Sequence, residues 1–308
     1  MKSRIKILRF PLGLTGLIFI AYLVSNHWGE LAPQMSNANA AALFISACLG
    51  FTGNILMGHV FSKLLCAHGT TVPLSLGLRI FLLSQIAKYI PGKIWSYLFQ
   101  MAHLPTGTSL RSMFFANLHL MISSLWCSTV LGANLILISY NYYSSALTVT
   151  IFGILISVVI ATGLPWVLLR KLQTQQPTNI TRDVRPRFDP FLLIEIWISC
   201  GMSVAGQVIL VAFGFSLETQ LSLSLVGIGV IVWVVSALLV VFPAGLGVRE
   251  WLFIKASTLS GIITTVSAPI TLSIRFWLIT IDLTGGLFAI ILSKKSSPIA
   301  QTRGLDQK

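Results

Sequence analysis

Lys88-Tyr89-Ile90-Pro91-Gly92-Lys93-Ile94-Trp95 and Phe242-Pro243-Ala244-Gly245-Leu246-Gly247-Val248-Arg249-Glu250-Trp251 break an otherwise apolar chain at two places. Each puts proline, glycine and fixed charge between two hydrophobic stretches. Proline stops a helix, and a charge at the centre of an apolar helix costs about 2.5–3.5 kcal/mol. Backbone freed in this way persists at membrane depth only where it is buried in protein or lines a cavity. Both stretches run apolar residue, Pro, Gly, basic residue, Trp, an order that points to a duplicated half.

The surrounding stretches define the class. Of 308 residues, 55% are hydrophobic and only 9% charged, against about 25% charged in a soluble domain. A helix needs about 20 apolar residues to cross about 30 Å of hydrocarbon. Full spans are expected near 7–24, 40–61, 113–138, 146–169, 191–213 and 266–292. The longest polar segment, a cytoplasmic linker at 170–189, has twenty residues and cannot bury a core of its own. The expectation is an all-α polytopic membrane protein with one domain over residues 1–308. It would have about six full spans plus two broken, re-entrant helix pairs related as an inverted repeat.

Charge placement sets the orientation. The chain carries 21 Lys and Arg against 8 acids, a net charge of +13. Fifteen of the basic residues fall in segments assigned to one side, whereas the opposite loops at 27–39, 141–145, 214–221 and 261–265 have none. The positive-inside rule then puts both termini in the cytoplasm. Basic clusters flanking spans suit anionic lipid headgroups, not nucleic acid. Ala38-Asn39-Ala40 mimics a signal-peptide cleavage site but lies well beyond the first apolar run, which therefore reads as a retained span. Cys48, Cys66, Cys127 and Cys200 fall in separate segments without CxxC spacing, as small packing residues do. No metal and no cofactor are expected.

Following the topology forward, the first break is flanked by 74–86 and 94–101, about 20 and 12 Å as helix. Neither crosses alone, so this element enters from the cytoplasm and returns to it. Around the second break, 222–241 descends from the opposite face and 251–262 climbs back. The segment 222–241 is also long enough to cross by itself, so a re-entrant and a fully spanning reading both stand.

Six basic residues lie in or beside apolar segments: Arg79, Lys88, Lys93, Arg249, Lys255 and Arg275. Glu250 and Asp282 are the accompanying acids. The positive excess points to an anionic ligand, with a membrane lipid bearing a phosphate headgroup as the partner. Helices starting near Lys93 and Val248 would aim amides and a positive dipole end at it. Gly245 and Gly247 permit close backbone approach, and Arg249 can fork onto phosphate oxygens where Lys88 and Lys93 act as point charges. Arg79, Lys255, Arg275 and Asp282 are candidates for a gate or for ion coupling. Plainer readings stand beside these. Arg79, Lys88 and Lys93 would snorkel to the interface, with Tyr89 and Trp95 as belt aromatics. Arg275 and Asp282, two turns apart on one helix face, would form a structural pair. His59 and His119 would be packing residues, and Glu195 interfacial.

The two stretches resemble the signature segments of a flippase-like membrane family related to the transmembrane region of lysylphosphatidylglycerol synthases. The resemblance covers nearly the whole chain in length, span pattern and order of motifs. It implies a bacterial inner-membrane protein that moves a lipid, or a lipid-linked precursor, between leaflets. Its central site would comprise Pro91, Gly92, Lys93, Pro243, Gly245, Gly247, Arg249 and Glu250. Bifunctional relatives append a soluble aminoacyltransferase domain. Here the sequence continues only sixteen residues beyond the last expected span, so lysyl transfer is not expected.

Two alternatives remain. One is a non-catalytic accessory protein working beside envelope biosynthesis enzymes in lipid or glycan assembly. The other is a membrane-embedded transferase with Glu250 or Asp282 as base. Without closely paired carboxylates, an HExxH run or a Ser/His/Asp grouping, an enzyme is not the expectation. If the breaks lie deep in the membrane, Tyr89→Cys and Leu246→Cys will resist a membrane-impermeant thiol reagent added from either side. Rapid labelling of both from the cytoplasmic side would refute the midplane placement.

Overall fold

The computed structural model describes residues 25, 29, 39–68, 70, 72–89, 95–105, 110–141, 190–238 and 248–295. Among them the chain forms eight α-helices and no strand: α1 (Ala40–Ala67), α2 (Leu74–Ala87), α3 (Trp95–His103), α4 (Leu110–Ser139), α5 (Pro190–Ile209), α6 (Thr219–Leu238), α7 (Val248–Leu259) and α8 (Thr264–Lys295). A π-helical turn, Leu210–Gly214, extends α5.

Five helices are long and apolar enough to cross a membrane: Ala40–Ala67, Ser112–Ser139, Phe191–Gly214, Thr219–Leu238 and Val266–Leu292. The protein is thus a helical, multi-pass membrane protein. Four of these helices coincide with expected spans. The fifth, α6, is the segment for which a re-entrant and a spanning reading both stood. Its 20 residues reach about 30 Å, enough by length to cross. The expected spans at 7–24 and 146–169 and the linker at 170–189 lie outside the described residues.

The first break behaves as its composition requires. Helices α2 and α3 have 14 and 9 residues, about 21 and 13 Å, too short to cross singly. Asn39, part of the triplet that mimics a cleavage site, is the N-cap of α1, its side-chain oxygen accepting from Ala41 N at 3.0 Å and Ala42 N at 3.3 Å. The cap satisfies amides that begin the helix and would otherwise lack partners.

The exterior is more apolar than that of a water-soluble protein. Phe44, Phe114, Phe191, Leu287 and Ile291 are all more than half exposed. Serines, amides and charges instead turn inward. Because lipid offers no hydrophobic drive between helices, close packing must come from small residues and hydrogen bonds. Helix α1 packs most extensively on α5, and α4 on α6. Ser199 Oγ of α5 donates to Gly53 O of α1 at 2.6 Å. At the α4–α6 crossing Gly132 faces Gly227. A Cβ on Gly227 would lie 2.7 Å from the Ile136 side chain and 2.9 Å from Gly132 O.

Two buried apolar clusters result. One joins α1, α2, α4 and α5 around Phe61, Leu64, Leu65 and Leu82; the other joins the end of α5 to α6, α7 and α8 around Val211, Leu225, Phe253 and Ile274. The second cluster depends on the glycine crossing. Gly227→Val is expected to lower stability by about 1–3 kcal/mol through overpacking, measured by denaturant titration in mixed lipid–detergent micelles. Unchanged stability would mean that α4 and α6 do not pack this closely.

Candidate functional site

Helix α8 carries Arg275 and Asp282 within its apolar span Val266–Leu292, whose middle residue is Ile279. Arg275 lies four residues to one side and Asp282 three to the other, about 6 and 5 Å along the axis. Both are nearly enclosed, with relative exposures of 8% and 5%. Ionised groups so placed need counter-charges, and each finds one on a different broken element.

Asp282 reaches the first break. Its Oδ2 accepts from the Tyr89 hydroxyl at 2.6 Å and pairs with Lys88 Nζ at 2.8 Å. Lys88 also donates to Gln85 Oε1 at 3.2 Å and sits over the Tyr89 ring, 5.5 Å from its centroid. Lys88 occupies the C-cap of α2, where a cation meets the negative end of the helix dipole. The Asn54 amide approaches Asp282 Oδ1 from α1 at 3.5 Å. Tyr89 is therefore a hydrogen-bond donor to the buried carboxylate.

Arg275 reaches the second break. Its guanidinium donates to Glu250 Oε1, and Glu250 lies in the first turn of α7. Neighbouring residues on a helix diverge, so Arg249 points elsewhere and lines a central cavity together with Lys88, Tyr89, Arg275 and Asp282. Arg249 and Arg275 are close enough to Tyr89 for their charges to act on its hydroxyl. Arg275 and Asp282, weighed from sequence as a mutual pair, instead take separate partners.

The cavity has a volume of about 490 Å³ and borders both apolar clusters. Its wall carries amides that sequence reasoning passed over, including Asn54, Gln100, Asn117 and Gln207. Asn117 Nδ2 donates to Gln100 Oε1 at 2.7 Å, and Gln100 Nε2 donates to Ser84 Oγ at 3.0 Å. An isolated Asn or Gln within an apolar run was the available signal, because burying an amide is costly without a polar partner.

Of the remaining expected site residues, Pro91, Gly92, Lys93, Pro243, Gly245 and Gly247 lie outside the described residues. Lys255 is exposed on α7, and half-buried Arg79 on α2 is not among the cavity-lining residues. The structure thus does not bring these two to the central charges. Elsewhere, Glu195 of α5 pairs with Lys63 Nζ at 2.5 Å and His59 Nδ1 at 3.2 Å on α1. His59 is accordingly a satisfied packing residue, tying the largest helix pair together. Among the described residues no group of three His, Cys, Asp or Glu side chains is arranged to hold a metal.

Within the cavity the charges do not cancel. Lys88 is offset by Asp282 and Arg275 by Glu250, whereas Arg249 has no ion-pair or hydrogen-bond partner among the described residues. One guanidinium therefore faces the cavity with its hydrogen-bonding capacity open.

Removing one member of a buried pair strands the other, at a cost of about 3–5 kcal/mol. Glu250→Gln is thus expected to destabilise strongly, and Glu250→Gln with Arg275→Gln to cost less than the two single changes added, in a double-variant unfolding cycle. Simple additivity would show that the pair is not formed. No protein-family model matches this chain, nor does any curated protein or solved structure.

Proposed function

We propose that this protein is a flippase-like translocator of an anionic phospholipid or lipid-linked phosphate precursor, seated in a bacterial inner membrane with both termini cytoplasmic. The observation that carries the reading is Arg249, a guanidinium that lines a central cavity without a salt bridge or hydrogen bond among the described residues, at the second residue of α7. There the helix dipole and free amides add to the side chain's attraction for an anion. Arginine presents a planar fork that fits phosphate oxygens, and such charge-assisted bonds are the strong ones.

The same geometry supplies a means of movement. The Lys88/Tyr89–Asp282 contact joins α2 to α8, and Glu250–Arg275 joins α7 to α8. A phosphate held by Arg249 competes with Asp282 for Lys88 and with Glu250 for Arg275. Loosening one pair at a time lets the two broken elements, read as inverted re-entrant hairpins, open the cavity to opposite faces in turn. The lipid tail stays in the bilayer, and transport of this kind needs no covalent step.

The test is leaflet exchange of fluorescent phosphatidylglycerol and of a polyprenyl phosphate in reconstituted vesicles. The wild-type protein is expected to accelerate exchange of at least one. Arg249→Ala should reduce that rate about tenfold to a hundredfold, the equivalent of a lost charged hydrogen bond of about 1.5–3 kcal/mol. Asp282→Asn should slow exchange by breaking one latch. Lipid recovered with altered mass would identify a transferase instead. Absence of exchange by folded protein would favour an accessory role in envelope assembly.

A further inference from the structure

We propose that the head group taken by this cavity is a glycosyl phosphate, a sugar joined to the phosphate that Arg249 holds. This deepens, and rests on, the translocator reading. Size is the first argument. At about 30 Å³ per water, 490 Å³ holds about sixteen waters, and a bare phosphate displaces only a few of them. The space left over needs an occupant whose chemistry matches the wall.

Beside its charged groups, the wall carries neutral hydrogen-bonding side chains. Five side-chain amides line it: Asn54, Gln85, Gln100, Asn117 and Gln207. Each presents donors and an acceptor, the combination that matches a hydroxyl, which both gives and receives. The Asn117–Gln100–Ser84 relay fixes two of the amides in orientation. Gln207 is 7% exposed, lines the cavity and has no hydrogen-bond partner among the described residues. Its amide opens onto the cavity, where a ligand hydroxyl or a water can complete it. Trp233 and Tyr97 add flat apolar surface to the same wall, suited to the carbon face of a ring. An ammonium-bearing head would instead want an open carboxylate. Asp282, the single acid on the wall among the described residues, is already engaged by Lys88 and Tyr89.

The test uses a matched pair of ligands, a short-chain polyprenyl phosphate and the same lipid carrying glucose on its phosphate. Each is bound to the purified full-length protein in nanodiscs, with phosphatidylethanolamine as a third lipid and glucose 1-phosphate as a water-soluble competitor. The glucosylated lipid is expected to bind about tenfold or more tightly than the bare phosphate, because a site built for hydroxyls discriminates against a ligand lacking them. Gln207→Leu should bring that ratio close to one, and Gln207→Met should do the same should the leucine variant fail to fold. Arg249→Gln should weaken both lipids with little change in the ratio. Competition by glucose 1-phosphate as strong as by the lipid would keep the sugar-phosphate chemistry and move its source to the aqueous phase. Equal binding of the two matched lipids, or tighter binding of phosphatidylethanolamine, would overturn the glycosyl inference while leaving anion recognition intact. Binding of none of these ligands by folded protein would remove the translocator reading as well.

Discussion

An ionised side chain at the depth of a bilayer must meet an opposite charge, water or a ligand, and the placement of two such side chains on α8 organises this molecule. Arg275 and Asp282 straddle the middle of the helix. Each is matched by a group from a different Pro/Gly break, Glu250 from one and Lys88 with Tyr89 from the other. Because the attraction between charges grows as the dielectric falls, these pairings hold the broken elements against a common spine. The breaks are tolerated for the same reason. The short helices beside them pack against longer ones, α2 on α1 and α8, and α7 on α6 and α8.

Such pairs are poor sources of net stability, since desolvation consumes most of what attraction supplies. They are good sources of bistability. A contact that costs much to strand but little to exchange for an equivalent partner favours discrete arrangements. Helices packed through glycine and serine, as at Gly53–Ser199 and Gly132–Gly227, keep the scaffold around these pairs closely fitted.

Much of this was legible from residue order. The spans beginning near residues 40, 113, 191 and 266 follow from apolar length alone and appear as α1, α4, α5 and α8. The shortness of α2 and α3 follows from Pro91 and Gly92 between them. That Arg249 and Glu250 must serve different partners was readable from their adjacency on a helix. The partners themselves were not. Asp282 and Arg275 looked like a pair because seven residues on a helix bring side chains to one face. The competing contacts come from Lys88, 194 positions away from Asp282, and Glu250, 25 positions away from Arg275. That the Tyr89 hydroxyl bonds Asp282 was hidden for the same cause, since an aromatic beside a lysine near a span end has the composition of an interfacial belt.

By itself, then, the sequence determined that this chain lives in a membrane, where it breaks, and that its interior carries more positive than negative charge. These are properties of composition and spacing, and the requirement that backbone and charge be satisfied in hydrocarbon translates them directly into structure. Only the tertiary structure decided which charge answers which, that Arg249 is the one left facing the cavity, and that amides from separate helices share its wall. Those facts depend on helix rotation and on which faces pack together. Both are set by the close approach of small residues far apart in the chain, an effect that no local pattern encodes.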